Sequence, residues 1–496
     1  MAKVVIIGAG MGGMACAARL TVKGHSVRVI ESSATWGGKL GTVRHGDHVF
    51  DTGPSLVTLP AVYRDLFLKT GKPLEDSVNL VDLETAFRYQ FADGTVLKMP
   101  GVGIGACTQA IGDTLGGASA DEWKAFMQRA AQMWAATRGP FLESPLNGVR
   151  SLLALSYRIN DVRTIAPAQT LRSLAEHYFS DQRLVTLVDR YATYTGSDPR
   201  KAPAALATVP YIEQAFGAYH VAGGVRELGA ALFERCQSLG VSFQFNTAAT
   251  TINGGSTVTS VSTTQGDFAA DIVVANADAS VVYNSLLQDS HSRKLTARAR
   301  KQLSKNVPSL SGFVGLMALD GVSTDLEHHN VWFPANYDAE FDSIFGKTKQ
   351  PVADPTIYVC NPQDSLMTPP NSESWFVLVN APRHDPGHGV DWSEEELRTN
   401  YWALLQERLA QRGMKIANRL TWSTTFTPAD LQARTGAPGG SIYGSSSNGM
   451  RSAFLRPSNV TAIRNLYLVG GSAHPGGGLP LVALSANIVA EKIGRA

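Results

Sequence analysis

The feature that most constrains this chain is a glycine-rich turn that directly follows a short apolar run at the amino terminus. Lys3–Ile7 reads KVVII, which is typical of a buried parallel strand, and positions 8–13 fit the motif G-x-G-x-x-G. A helix-compatible segment follows, and a second apolar run, His25–Ile30, places Glu31 at its carboxyl end. This order predicts one β-α-β unit that binds a dinucleotide.

Each residue of the motif has its own physical role in such a unit. Gly8 allows the tight turn, Gly10 lets a pyrophosphate approach the backbone, and Gly13 lets the helix pack closely on the strand. We expect Glu31 to accept hydrogen bonds from the adenosine ribose hydroxyls. Because a carboxylate at that place repels a 2′-phosphate, NADP is disfavoured as the ligand of this unit.

The composition excludes several other classes of protein. Of 496 residues, 44% are hydrophobic and 17% are charged, so the chain is not disordered. A formal net charge of +2 gives no overall reason to expect a nucleic-acid partner. The four cysteines are widely spaced and form no cysteine–histidine ligand cluster, so we predict no disulfide framework and no metal site. No apolar run has the length of a bilayer-spanning helix, and glycines interrupt the apolar start, so a signal peptide is not predicted.

Three further segments carry glycines beside predicted secondary structure. The first two follow the acid closely and contain Gly37, Gly38 and Lys39, then Gly53, Pro54, Ser55 and Leu56. The third is a loop between a predicted strand at 465–469 and a predicted helix at 481–493, and it contains Gly470, Gly471, Gly478, Leu479 and Pro480. A strand, a glycine-rich loop and a helix start again present backbone N–H groups to a ligand.

These segments resemble those of the bacterial CrtI-type carotenoid desaturase family, which lies within the FAD-dependent amine-oxidase-like superfamily. The likeness is carried by GAGMGGMACAARL, ESSATWGGKLGTV, DTGPSLVTLP, DIVVANADA and GGSAHPGGGLPLVALSANIVAE. His328-His329-Asn330 and the GSIYG stretch at 440–444 are similar to two more family motifs. The resemblance covers most of the chain. It implies FAD as the cofactor, held by the residues named above and by Ala248 on the adenine side.

The resemblance also implies the fold class and the domain organisation. The fold is expected to be α/β, with a Rossmann-like FAD-binding domain of the glutathione-reductase type and an inserted mixed α+β substrate domain. Residues 1–80, 222–280 and 437–496 are assigned to a discontinuous FAD-binding domain. Residues 81–221 and 281–436 are assigned to the substrate-binding domain.

The implied activity is FAD-dependent desaturation of a long hydrophobic carotenoid, a C30–C40 polyene, by hydride transfer to flavin. A carotenoid oxygenase, a polyene saturase or isomerase, and a non-catalytic carotenoid-binding flavoprotein remain as alternatives. O₂ or a quinone is expected to accept the electrons. An amine oxidase needs an aromatic cage for its substrate, and the sequence shows no clear one.

The sequence assigns no catalytic residue. Asp161, Asp189 and Glu213 are candidates for the base that takes the proton, although water is an alternative acceptor. His474 is the histidine nearest the predicted site along the chain, with a chemical or a loop-shaping role. Tyr191 and Tyr194 either line a substrate tunnel or pack in the core.

A polyene of this size is nearly insoluble in water, so its enzyme is expected to draw it from a bilayer. A predicted helix at 121–138 carries an apolar stripe that either packs in the core or contacts a tunnel or membrane. Leu152–Tyr157 is a second candidate for membrane contact. A basic stretch between Arg293 and Lys305 is either a solvated face or a site for anionic headgroups. The predicted location is the cytoplasm, peripherally on the inner face of the cell membrane.

Overall fold

The computed structural model describes residues 1–144, 163–449 and 456–496. A five-stranded, all-parallel sheet lies at the centre of one part of the molecule. Its strands, in spatial order, are Ser242–Gln244, Ser26–Ile30, Lys3–Ile7, Ile272–Ala275 and Leu466–Leu468. They come from the beginning, the middle and the end of the chain, so the sheet joins segments that are far apart in sequence.

The central strand Lys3–Ile7 is buried on both faces, as its unbroken apolar run predicts. Val4 and Ile6 pack against helices on one face of the sheet, and Val5 and Ile7 pack on the other face. The helices are Met11–Val22, Ala61–Lys69, Arg226–Ser238 and Leu479–Ile493. The second face is covered by a three-stranded antiparallel sheet made of Ala249–Asn253, Ser260–Thr263 and Gly266–Ala269.

A seven-stranded mixed sheet forms the core of the other part of the molecule. Its strands, in order, are Leu420–Phe426, Ser311–Asp320, Ser372–Ala381, Ile357–Cys360, His329–Trp332, Thr85–Gln90 and Val96–Pro100. Helix Glu395–Gln411 packs on one face through an aromatic and aliphatic cluster. Two small sheets consist of Thr42–His45 with His48–Asp51, and of Val57–Thr58, Ala218–Val221 and Leu80–Asp82.

A layer of helices covers the end of the mixed sheet. Its helices are Ile104–Leu115, Ser119–Thr137, Leu171–Tyr178, Gln182–Thr193 and Thr208–Phe216. Asp338–Phe345 and Pro428–Thr435 also pack on the mixed sheet. The short helices Ser290–Leu295 and Ala297–Leu303 lie beside the parallel sheet instead. The predicted fold class is confirmed, because a Rossmann-like parallel sheet is combined with a mixed α+β part. The residue boundaries assigned to the two domains stay a prediction.

The apolar stripe of the helix predicted at 121–138 packs in the core. Trp123, Phe126 and Met133 are fully buried, and Trp123 Nε1 donates to Gln214 Oε1 over 3.2 Å. These side chains therefore contact neither a bilayer nor the main cavity. Leu152–Tyr157, the other segment predicted to contact a membrane, lies outside the described residues.

Three local patterns of the sequence predict details that the structure corrects. Ser119 and Glu122 have the spacing of a capping box. The box does not form, because the Glu122 carboxylate instead accepts hydrogen bonds from Ser180 N and Oγ at 3.1 and 2.8 Å. The alternation at 256–262 predicts a strand, which begins only at Ser260, after a turn. The basic stretch is compatible with one helix but forms two short ones, because the first ends at Leu295 and the second begins at Ala297.

Candidate functional site

One large cavity of about 1210 Å³ joins the carboxyl edge of the parallel sheet to the mixed sheet and the helical layer. This volume exceeds the range of about 300–1,000 Å³ usual for one small-molecule site. The walls come from the amino-terminal β-α-β unit, the carboxyl-terminal loop, the mixed sheet and the helical layer. The cavity is therefore large enough for a dinucleotide and part of an elongated second ligand.

The amino-terminal glycines form a cradle in which a Cβ atom has no room. Gly8 has φ +97°, in the left-handed region that favours glycine, and it lines the cavity with Gly10. A Cβ on Gly13 would lie 2.2 Å from the Gly8 carbonyl oxygen, so Gly13 allows the close packing of helix on strand that the motif predicts. Gly13 itself does not line the cavity, because it faces the strand.

Asn276, at the end of the strand Ile272–Ala275, packs among glycines from both ends of the chain. A Cβ on Gly10 would lie 2.9 Å from Asn276 Nδ2, and one on Gly12 would lie 2.8 Å from Asn276 Oδ1. A Cβ on Gly470 would lie 2.4 Å from the same oxygen. Gly470 was predicted to bind the cofactor, but it does not line the cavity and instead allows this contact. Sequence reasoning did not select Asn276 as a site residue, although it lies within the DIVVANADA segment.

Glu31 lines the cavity at the carboxyl end of its strand, as predicted. Its Oε2 accepts a hydrogen bond from Ala9 N over 2.7 Å, and its Oε1 accepts from Ser33 N over 2.9 Å. These bonds fix the carboxylate beside the glycine turn. Oε1 also accepts hydrogen bonds from the hydroxyls of Ser32 and Ser33 at 3.2 and 2.9 Å. Since a carboxylate offers about four acceptor positions, a ribose hydroxyl would bind here by replacing one of these two serine hydroxyls.

Gly37, Gly38 and Lys39 all line the cavity. A Cβ on Gly37, which has φ +114°, would lie 2.5 Å from the Leu40 carbonyl oxygen. The Lys39 ammonium donates to the carbonyl oxygens of Ser441 and Ile442 at 2.8 and 2.6 Å, and burial lowers its pKa to about 8. Two of its three donors are thus used to join distant segments, which leaves one for a ligand.

The segment Gly53-Pro54-Ser55-Leu56 also lines the cavity. A Cβ on Gly53 would lie 2.1 Å from the Lys39 carbonyl oxygen, so only glycine allows the two segments to meet. Ser55 Oγ and the hydroxyl of Tyr358 share a hydrogen bond of 2.6 Å. Through this contact the cofactor-side peptide is held against the mixed sheet.

On the opposite wall, the carboxyl-terminal loop and the first residues of helix Leu479–Ile493 line the cavity. The predicted residues in this group are Gly471, Gly478, Leu479 and Pro480. Ala248 lies on the wall together with Thr247, as expected for the adenine side. Since helix Met11–Val22 opens onto the same space, two helix amino termini offer N–H groups and favourable dipoles to phosphate.

Sequence reasoning missed several charged and aromatic side chains on the wall. The guanidinium of Arg226 lies 4.1 Å from the ring centroid of Trp36 and donates to the Leu40 carbonyl oxygen over 2.7 Å. Arg434 Nη1 donates to Thr52 Oγ1 over 2.7 Å. Trp36 could have been selected from the sequence, because it directly precedes the Gly37-Gly38 pair. The two arginines belong to no motif and gave no such signal.

Of the candidate bases, Glu213 is the one that lines the cavity. It is buried, and its Oε1 and Oε2 accept hydrogen bonds from the hydroxyls of Tyr191 and Tyr194 at 2.7 and 3.3 Å. Burial raises the pKa of Glu213 to about 7, and the two hydroxyls and the Arg190 charge oppose part of that rise. Tyr194 lines the cavity, whereas Tyr191 packs in the core behind it.

The other candidates lie elsewhere. Asp189 is buried in an ion pair with Arg172 at 2.5 Å and does not line the cavity. His474 is also off the wall; its Nε2 contacts the Ser144 carbonyl oxygen at 3.0 Å, and its own carbonyl oxygen accepts from Asn459, so its role is to shape the loop. Asp161 lies outside the described residues.

The sequence predicts no cysteine–histidine cluster, and this prediction is wrong for one group. His328, His329 and Cys360 lie together, with possible ligand atoms within 4.8 Å of one another, because His329 and Cys360 are cross-strand partners. The Nε2 atoms of both histidines lack hydrogen-bond partners among the described residues. His329 Nδ1 contacts the Tyr358 hydroxyl at 2.7 Å, so this buried group lies directly behind the cavity wall.

Comparison with known proteins agrees with this site. The sequence profile of the flavin-containing amine oxidoreductases matches residues 11–494. The chain is 32% identical to a 1-hydroxycarotenoid 3,4-desaturase from Flavobacterium sp. (strain P99-3), over 99% of both proteins. It is 30% identical to a hydroxyneurosporene desaturase from Rhodobacter capsulatus, over 99% of this chain and 97% of that protein. A 4,4′-diapolycopene oxygenase from Methylomonas sp. is 29% identical over 99% of this chain and 98% of that protein.

Solved structures share the fold across the whole chain. An oxidoreductase from Methanosarcina mazei has a TM-score of 0.65 at 16% identity, and the alignment covers 99% of this chain and 100% of that protein. Wild-type putrescine oxidase bound to putrescine has a TM-score of 0.64 at 14% identity, covering 99% and 98%. The fold and the cavity thus define an enzyme of the flavoprotein oxidoreductase class. The chain belongs to the flavin-containing amine oxidoreductase family, its cofactor is FAD, and the predicted resemblance to carotenoid desaturases is confirmed.

We predict that Gly10→Ala weakens FAD binding by at least about tenfold, equivalent to about 1.4 kcal/mol. The added methyl group occupies the place where the pyrophosphate approaches the backbone and lies 2.9 Å from Asn276 Nδ2. Visible flavin absorbance per protein, followed during dialysis, measures the effect. Gly105→Ala is the matched control, because no atom lies within 4 Å of a Cβ there. Full flavin retention by Gly10→Ala would contradict the assignment of the cradle.

Proposed function

We propose that this protein is an FAD-dependent desaturase of a long carotenoid polyene. The observation that carries the proposal is a cavity that combines a glycine cradle for the cofactor with an apolar wall in which Glu213 is buried. Among the described residues, the Glu213 carboxylate accepts hydrogen bonds from two tyrosines and forms no ion pair. Two relatives at 30% identity or more are named as desaturases of hydroxylated carotenoids, which supports the same substrate class here.

The apolar wall fits a hydrocarbon chain. It is made of aliphatic and aromatic side chains from the mixed sheet and the helical layer, including Leu56, Leu59, Val209, Ile212, Leu310, Val314, Phe376, Leu378 and Phe426. Burying a polyene against such a wall is favoured by about 25 cal/mol per Å² of apolar surface removed from water. The wall excludes water from the carbon that loses hydrogen.

An amine substrate is disfavoured by the charge of the site. Four aromatic rings surround a position beside the wall, and the guanidinium of Arg190 fills that position, 5.2 Å from the Tyr194 ring centroid and 5.3 Å from that of Phe87. Because this cation cannot lose its proton in a protein, it repels a protonated amine.

We infer a mechanism in which the protein positions the substrate and supplies a proton acceptor. Gly8, Gly10 and the starts of helices Met11–Val22 and Leu479–Ile493 would hold FAD, which would supply the two-electron acceptor for hydride. Desaturation removes one hydride and one proton from adjacent carbons. The carboxylate of Glu213 takes the proton, while Tyr191 and Tyr194 hold it in place by hydrogen bonds. O₂ or a quinone takes the electrons afterwards.

A carotenoid oxygenase is the second candidate, because a 4,4′-diapolycopene oxygenase is 29% identical over nearly the full length of both proteins. The two activities use the same cavity and differ in whether oxygen enters the product. The mass of the product therefore distinguishes them.

We expect cells that accumulate acyclic carotenoids and express this protein to form products that lack two hydrogens for each new double bond. The added conjugation shifts pigment absorbance to longer wavelength. Mass spectrometry of extracted pigment, with cells expressing Gly10→Ala as the low-flavin control, makes the measurement. A terminal aldehyde or ketone, with one oxygen added and a mass gain of about 14 or about 16 units, would instead assign the oxygenase, and unchanged pigment with bound flavin would reject both activities.

We predict that Glu213→Gln slows anaerobic flavin bleaching by polyene at least about 100-fold. The acceptor must be ionised, and since burial raises its pKa to about 7, the wild-type rate should rise with pH through about 7 and level off above it. The variant should lose this dependence. Glu176→Gln, an exposed carboxylate on a neighbouring helix, is the control. An unaltered rate and pH profile in Glu213→Gln would make water the acceptor.

We also propose that the protein binds the surface of an anionic membrane, from which it draws its substrate. Among the residues that the structure describes, no helix has the length and apolarity needed to cross a bilayer. The two helices Ser290–Leu295 and Ala297–Leu303 expose basic side chains at Arg293, Lys294, Arg298 and Lys301, together with Leu295 at 37% exposure. Such a surface attracts anionic headgroups, with about 1 kcal/mol for each basic residue near the bilayer. The cytoplasmic face of the cell membrane fits this charge.

We expect Lys294→Glu with Lys301→Glu to lower binding to anionic vesicles at least about tenfold at low salt, because two attractions become repulsions. Vesicle flotation measures the bound fraction. The control pair, Lys347→Glu with Lys415→Glu, makes the same charge change at exposed positions elsewhere. Equal binding by both pairs, or no binding by the wild type, would remove this surface from the proposal.

A further inference from the structure

Arg190 is a buried cation on the wall of the cavity, beside the apolar side chains of the substrate side. It lies near the end of helix Gln182–Thr193 and is only 8% exposed. The guanidinium carbon lies between 5.2 and 5.9 Å from the ring centroids of Phe87, Tyr89, Tyr194 and Tyr358. These rings stabilise the charge through their faces and hold the side chain in one orientation.

The guanidinium uses only a small part of its hydrogen-bonding capacity. It has five N–H donors. Within residues 1–144, 163–449 and 456–496, it makes one side-chain hydrogen bond, from Nη1 to the Tyr194 hydroxyl over 2.8 Å, and no ion pair with a carboxylate. Each guanidinium nitrogen either makes a hydrogen bond or has accessible surface, and Arg190 lines the cavity. Its remaining donors are therefore available to a molecule in the cavity.

A pure hydrocarbon lying against these donors would remove water from them and return no hydrogen bond. Leaving a charged group desolvated and unpaired is one of the largest costs that a binding site can carry. An oxygen atom on the polyene, as a hydroxyl, an ether or a carbonyl, would accept the hydrogen bond instead. The site is thus complementary to a chain that is apolar along its length and oxygenated at one place.

We propose that Arg190 is the specificity-determining residue for an oxygen-bearing polyene, whose oxygen accepts a hydrogen bond from the guanidinium. This inference rests on the proposed desaturation and names the chemical feature that the cavity selects. It also names a side chain outside every motif of the cofactor site.

The same contact determines which carbon of the bound polyene lies next to the proton acceptor, Glu213. The Tyr194 hydroxyl accepts from Arg190 over 2.8 Å and donates to Glu213 over 3.3 Å, so the anchor and the carboxylate lie within about 6 Å of each other. A carbon next to Glu213 is therefore close to the oxygen that Arg190 holds. The new double bond should form in the oxygen-bearing part of the polyene and not at its far end.

The test compares two acyclic polyenes of equal carbon skeleton, one with a tertiary alcohol at one end and one without oxygen. Anaerobic flavin bleaching gives kcat/KM for each, and tryptophan fluorescence quenching gives binding without reaction. We expect the wild type to prefer the alcohol at least about 100-fold. In Arg190→Met the preference should fall to less than about fivefold. Product mass and NMR spectra should locate the new double bond in the oxygenated half.

Arg183→Met is the matched control, since Arg183 belongs to the same helix but pairs with Asp181 at the surface. This variant should keep the wild-type preference. Equal kcat/KM for the two polyenes in the wild type, or an equal loss for both in Arg190→Met, would overturn the inference and leave desaturation intact. Loss of flavin from Arg190→Met would overturn it too, by assigning Arg190 to the cofactor. If neither polyene bleaches the flavin, desaturation fails, and the binding preference alone decides the role of Arg190.

Discussion

The close approach of three distant backbone segments around Asn276 is the constraint on which the rest of this structure depends. The turn after the first strand, the end of the strand Ile272–Ala275 and the loop after the last strand meet where no Cβ atom fits. Glycine is required there because a side chain would keep the three segments apart. Their close approach lets the amino termini of two helices face the same cavity. Because backbone N–H groups and helix dipoles supply the attraction for phosphate, the cofactor side needs few charged side chains.

The substrate side follows the opposite principle, since the charged groups of Arg190 and Glu213 are buried in an apolar wall. Either charge alone would be costly there. Tyr194 bridges them, accepting from Arg190 and donating to Glu213, and four rings face the guanidinium. The charges therefore do not neutralise each other directly. Each keeps unused capacity toward the cavity, which a direct ion pair would have consumed.

The cofactor side was largely predictable from sequence, because its signals are local. A strand, a glycine turn, a helix and an acid within some thirty residues specify one unit, and 15 of the 17 predicted residues line the cavity. Gly13 and Gly470 serve packing instead. The substrate side was not predictable, because Arg190 and Glu213 meet only through the packing of two helices. Sequence spacing alone could not show that Glu213 rather than Asp189 faces the cavity, because the ion pair between Asp189 and Arg172 forms only in the folded protein. His328, His329 and Cys360 meet only through strand pairing.

The bonds from the Lys39 ammonium to the carbonyl oxygens of Ser441 and Ile442 join residues about four hundred positions apart. The last strand of the parallel sheet, Leu466–Leu468, likewise pairs with Ile272–Ala275, a strand that lies more than a hundred positions earlier in the chain. During synthesis on the ribosome, the first β-α-β unit therefore emerges long before the loop that closes the other wall. The complete cofactor cavity therefore assembles only after helix Leu479–Ile493 has left the exit tunnel, because that helix and the loop before it form one of its walls.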